Sequence, residues 1–326
     1  MKNAFIILSI LFVISGAWIT YKSYDYGKTY KEEKTEYVKV LNFEERLLQA
    51  KEWIFTESEW AKRKAKSEQH LELAESAYDN ILVMSIYLMI LSIVYMLMVA
   101  VIAIQRKQLY LYLGIGFAIV ALPCLITGIS IPMMEISAFN TELTIPLQID
   151  ASSYLKDVPL IGGVADWMKL DLTQVFHGRM YYFYQSKSVF DLIFLLIKDS
   201  NWLVAISIIA FSVIIPIFKL LVTLAYGVAN KTGNKVGVFK FSYALGKWSM
   251  ADVFVAALFL GFLSFSNMNK GVETEALSLA GMYYFLGYCI LSLVSSILVN
   301  SALKIKKENS KEPIDTVNAF IDSAGA

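Results

Sequence analysis

Six apolar runs, most of them at or above the roughly 18 residues that mark a bilayer-crossing helix, constrain this chain more than any other feature. They fall at about 3–20, 81–104, 109–136, 201–227, 249–267 and 282–303. In hydrocarbon every backbone N–H and C=O must be satisfied within its own segment, so such runs are helices. The expected fold class is an all-α polytopic membrane protein with six transmembrane helices. The first run follows Lys2, and no small-x-small cleavage site precedes the Tyr-rich, charged stretch beyond it. It therefore reads as an uncleaved anchor.

The short connections set the orientation through their Lys and Arg content. Arg106 and Lys107 lie between the second and third runs. Lys231, Lys235, Lys240 and Lys247, with no acid among them, lie between the fourth and fifth. The tail opens Lys304-Ile305-Lys306-Lys307. All three basic stretches share one side when both termini are cytoplasmic. The opposite short loop, 268–281, carries Lys270, Glu273 and Glu275 and is not basic.

This topology leaves two long segments outside the cytoplasm. The first, 21–80, is rich in Lys and Glu, has no Pro, and has Gly27 as its one glycine, a composition that favours helix. Thr56 and Glu59 fit a capping box. The segment reads as a helical hairpin extending the first two spans outward, with a break within 42–58. Trp53, Trp60, Leu71, Leu73, Ala74 and Tyr78 are the expected packing stripe. The second segment, 140–200, is mixed. Residues 144–149 alternate like a strand, and Pro159 and Gly162-Gly163 mark turns. Residues 188–197 read as an interfacial helix. Trp167, Tyr181, Tyr182 and Tyr184 suit the membrane–water boundary. Three units result: an anchor hairpin with its stalk (1–104), a four-span module with an extracytoplasmic insert (105–303), and a polar cytoplasmic tail (304–326).

Ionisable side chains inside membrane helices are costly and commonly functional. Lys219 lies about eight residues, or about 12 Å, from the cytoplasmic end of the fourth run. It follows Pro216, which removes a helix hydrogen bond and favours a kink. Asp252 lies about one turn inside the fifth run, after Trp248 and Ser249. Lys219 and Asp252 are the expected polar pair near the inner leaflet. A snorkelling lysine and a helix-dipole aspartate are the plainer alternatives. Glu135 is expected at the outer interface. Ser292 and Ser296 share one face of the last run, where helix–helix hydrogen bonding is the simpler role and a substrate path the other.

Other chemistries find little footing. A net charge of +1 offers no electrostatic case for nucleic acid. Cys124 and Cys289 have no partners at metal-ligand spacing, and His70 and His177 are isolated. No metal, cofactor or enzymatic activity is expected.

The elements Ile131-Pro132-Met133-Met134-Glu135, Tyr181 through Asp191, Phe211 through Leu220, Lys247-Trp248-Ser249-Met250-Ala251-Asp252-Val253-Phe254 and Gly281 through Phe285 resemble the paraquat-inducible protein A family of bacterial membrane proteins. The Trp-Ser-Met-x-Asp-Val element is the most diagnostic. The resemblance implies an inner-membrane, multi-pass protein in lipid trafficking across the bacterial envelope. It would load lipid into, or take lipid from, a periplasmic protein of the MCE (mammalian cell entry) class. On the same carry-over, Lys219 and Asp252 contact a headgroup or couple protons. Better-known members have two four-span modules and Cys-x-x-Cys zinc ribbons. This chain has one module and no such pairs, so a homodimer is one way to supply the second. No phosphate-binding loop is present, so energy must come from elsewhere. The alternative function is an envelope scaffold or stress sensor acting through the 21–80 stalk.

Overall fold

The computed structural model describes residues 2–49, 56–106, 108–141, 143–150, 169–228 and 272–308. The expected fifth span, Trp248, Ser249, Asp252, the lysines between spans four and five, Trp53, the Pro159–Trp167 stretch and the tail beyond 308 lie outside these residues.

Two helices are far longer than a membrane is thick. Helix α1 (Lys2–Val40) has 39 residues and α3 (Thr56–Gln105) has 50. At about 1.5 Å per residue they reach about 58 and 75 Å, against a hydrocarbon core of about 30 Å. They pack as a hairpin whose outer part stands beyond the apolar windows, as the composition of 21–80 predicts. The short helix α2 (Phe43–Leu48) occupies the bend. Its Asn42 cap accepts from the Glu44 and Glu45 amides at 2.9 and 3.3 Å. Helix α3 begins at Thr56, the predicted cap, which stands here as the first helical residue, with Glu57 and Glu59 in the first turn, where the helix dipole favours them.

Helix α4 (Leu109–Ser130) is the third span. It ends six residues short of the predicted 136, because Pro132 stops the helix and the chain turns directly into a strand. Among the described residues five strands follow: β1 (Met134–Asn140), β2 (Leu143–Asp150), β3 (Lys169–Phe176), β4 (Met180–Lys187) and, much later, β5 (Glu273–Ser278). β2 and β3 form an antiparallel pair. β4, β1 and β5 form an antiparallel sheet in that order, with Glu135 opposite Ser186 on one side and Leu277 on the other. The segment after α4 and the stretch Glu273–Ser278 are thus joined in one sheet.

This sheet and the outer hairpin make a compact head. Tyr37, Val38 and Leu41 pack against Phe139 and Tyr181. The Tyr181 amide donates to the Leu41 carbonyl at 3.0 Å. Tyr181 and Tyr184 therefore belong to the head rather than to a membrane belt. Tyr182 stacks on Phe43 at 4.6 Å. Of the expected stripe, Leu71, Ala74 and Tyr78 face the packing, whereas Leu73 is 47% exposed and does not. Trp60 covers Gly178, which has φ +79° in the β3–β4 turn. A Cβ on that glycine would lie 2.1 Å from the indole.

Helix α5 (Val189–Lys198) matches the predicted interfacial helix. Ser188 and Asp191 form a reciprocal capping box at its start. Its end is a Schellman turn: Ser200 has φ +61°, its amide donates to Ile197 and that of Asn201 donates to Leu196. The next membrane helix is composite: α6 (Trp202–Ile208), a π turn (Ile209–Ile214) and α7 (Ile215–Val228). Helix α8 (Ala280–Glu308) closes the bundle against α4. Among the described residues, five helices are long and apolar enough to cross a membrane.

Candidate functional site

The membrane helices are apolar on all sides, so side chains that break the pattern stand out. Lys219 lies half-buried on α7, in the half of its helix farther from the head. A lysine at the centre of a membrane helix costs about 2.5–3.5 kcal/mol on insertion scales. The helix is irregular just before it. Pro216 is buried and cannot donate to the preceding turn, and its ring needs room there. The chain answers with the π turn at 209–214, which widens the helix around the buried Ser212. Where the sequence predicts a kink, the structure shows this π turn, which proline alone does not specify. Whether Lys219 meets Asp252, Trp248 or Ser249 lies outside the described residues.

Glu135 is not at an open interface. It is 4% exposed on the central strand of the head sheet, where the sheet meets the bundle. Burying a carboxylate costs about several kcal/mol unless it is hydrogen-bonded. The Tyr30 hydroxyl, from α1, donates to Glu135 Oε2 at 2.5 Å. Tyr184 faces the same carboxylate. Burial, then the charge of Glu135, pushes the Tyr184 phenol above its ordinary range, so it stays protonated and able to donate. Close by, Lys31 pairs with Asp191 at 2.7 Å and ties α1 to the start of α5. Local sequence gave no sign of this cluster, because strands β1, β4 and β5 and helix α1 come from widely separated segments.

The serines of α8 divide in use. Ser296 donates to the Ser292 carbonyl of its own helix. Ser292 is buried beside Tyr288. Ser295 makes the interhelical bond, donating to the Gly114 carbonyl of α4 at 2.7 Å. Such bonds average about 0.6 kcal/mol in membranes, so close packing carries most of this contact. A Cβ at Gly128 would lie 2.7 Å from the Phe285 backbone nitrogen.

A groove of about 880 Å³ opens between α3, α4 and α8. Val120 and Cys124 of α4 lie between walls from α3, including Ser85 and Ser92, and from α8, including Tyr284 and Gly287. Its head end reaches Tyr78 and Tyr283, and the Tyr283 hydroxyl bonds that of Ser278, the last residue of β5, at 3.1 Å. Lys219 is not among its lining residues. Within the described residues, no group of three or more His, Cys, Asp and Glu side chains could hold a metal ion.

Long apolar helices, a composite span with a π turn and a head built from their connections define a multi-pass membrane protein. Residues 172–304 match the family model for paraquat-inducible protein A. The match runs from within β3, through β4, α5, α6 and α7, to near the end of α8. Helix α4 and strand β1, which the sequence resemblance included, precede it, as does the α1–α3 hairpin. No curated protein and no solved structure matches the chain.

Proposed function

We propose that this protein is an inner-membrane component of intermembrane lipid transport, loading a phospholipid-like amphiphile into, or receiving it from, a periplasmic carrier of the MCE class. The observation that carries this reading is the continuity between membrane and head. The apolar groove ends at Tyr78 and Tyr283, and Tyr283 is bonded to the strand that joins the head sheet. An amphiphile held between the helices would have its polar end beside the head, where a carrier could dock. The match to paraquat-inducible protein A supports the same reading, since its residues include both the span with the π turn and the wall of the groove formed by α8.

In this account Lys219, on the widened helix after Pro216, contacts an anionic headgroup or couples proton movement together with Asp252. Lys219→Ala is expected to abolish complementation of a deletion strain, scored as survival in detergent, while protein abundance in the membrane stays at wild-type level. Normal complementation by that variant would overturn the role of Lys219. The scaffold or stress-sensor alternative predicts the reverse: a silent Lys219→Ala and loss of function on shortening the 21–80 stalk. The inner face of the stalk is taken up by the sheet, which favours a structural role for it.

A further inference from the structure

We propose that Glu135, Tyr30, Tyr184 and Ser186 form a binding site for a small monovalent cation, sodium, where the head sheet meets the bundle. The site stands independently of the lipid-handling reading.

Register brings the oxygens together. Glu135 on β1 and Ser186 on β4 are cross-strand partners. Residues directly opposite in an antiparallel pair share a face, with Cβ atoms about 4.5–5.5 Å apart. Tyr184 lies two positions earlier on β4 and so shares that face. Helix α1 covers the face with Tyr30, whose hydroxyl donates to Glu135 Oε2. On β5 the residue opposite Glu135 is Leu277, which offers no polar side chain. One carboxylate and three hydroxyls thus converge from three separate segments.

Two observations point to a ligand among them. The first is charge. Buried charges are paired or coordinate metal ions. Glu135 is 4% exposed, and among the described residues it forms no ion pair. Lys31, beside Tyr30 in sequence, is engaged by Asp191, and Arg179 of the head lies 3.9 Å from Glu275. The second is a pair of hydroxyls left over. Tyr184 is close enough to Glu135 and Ser186 to be influenced by both, yet its hydroxyl has hydrogen-bond geometry with neither. Ser186 is 4% exposed, and its Oγ has no hydrogen-bond partner among the described residues. Buried hydroxyls without partners are explained by a bound water or ion. A water would satisfy the hydroxyls and leave the carboxylate charge uncompensated. A cation answers both.

The ligands select the ion. Carboxylate and hydroxyl oxygens suit hard cations, and neither imidazole nor thiolate is present for a transition metal. A single carboxylate balances a single positive charge, whereas a divalent ion would bring an uncompensated charge into the same burial. A hydroxyl has one donor and two lone pairs, so Tyr30 can donate to Glu135 and still ligate. The ion would tie α1 to β1 and β4.

The test uses the full chain in mild detergent at constant ionic strength, with choline replacing sodium. Equilibrium dialysis with radioactive sodium should show saturable binding of a single ion per chain. Sodium should raise thermal stability over the same concentrations, and potassium far less. Glu135→Gln, which keeps the shape and removes the charge, should abolish saturable binding. Ser186→Ala is the milder change if that variant folds poorly. It should weaken binding about tenfold or more, the loss seen when even an outer partner of a bound metal is removed. Glu275→Gln, on the half-exposed part of β5, should leave binding unchanged. Wild-type protein without saturable binding holds water only, and overturns the proposal. So does equal stabilisation by sodium, potassium and choline, or binding that survives both Glu135→Gln and Ser186→Ala. An infrared band of a neutral carboxylic acid in sodium buffer, missing from Glu135→Gln, would show a proton in place of the ion and overturn it as well.

Discussion

Lys31 and Asp191 show how single residues fasten the head to the bundle. Burial alone would raise the Asp191 carboxyl, but the Lys31 ammonium and the amide and hydroxyl of Ser188 outweigh it and hold the group below its ordinary value. A carboxyl lowered by folding contributes stability above its unfolded pKa and loses it as pH falls through the folded value. Protease resistance of the head is therefore expected to fall on moving from pH 7 to below pH 4. Lys31→Met should narrow that difference. An unchanged difference in Lys31→Met would mean that other carboxyls set the acid response. The helix that Asp191 opens was legible in the apolar pattern of 188–197, whereas the capping box that Ser188 and Asp191 form was not read there. The burial of Glu135 was not legible either. A carboxylate just past an apolar helix looks like an interfacial charge, and only pairing with β4 and β5 encloses it.

At the scale of elements, helices were readable wherever local pattern suffices. Apolar runs marked the described spans, and Thr56 marked the start of α3. Strands β1, β4 and β5 escaped notice because their partners lie far away and their alternation is weak; Tyr181 to Tyr184 looked like an aromatic belt instead. The close approach of α4 and α8 likewise cannot be read from Gly128 alone. It depends on the Phe285 backbone lying opposite. Gly128→Leu is expected to force these helices apart and destabilise the protein by about 1–3 kcal/mol, the usual range for overpacking. Reversible unfolding in mild detergent would register this, and a variant as stable as wild type would show that the contact yields freely.

For the whole molecule, the arrangement places a membrane groove, a lysine-bearing span with a π turn and a folded head in one chain. The matched residues supply the whole of that span and part of the other two; the long hairpin, α4, β1, β2 and the start of β3 supply the rest. The most direct measurement is an affinity pull-down from native membranes in mild detergent, with proteins identified by mass spectrometry. The account predicts recovery of an MCE-domain protein with the wild-type chain. Recovery of the chain alone, or with signalling or envelope-maintenance proteins only, would contradict an intermembrane lipid pathway and favour the scaffold.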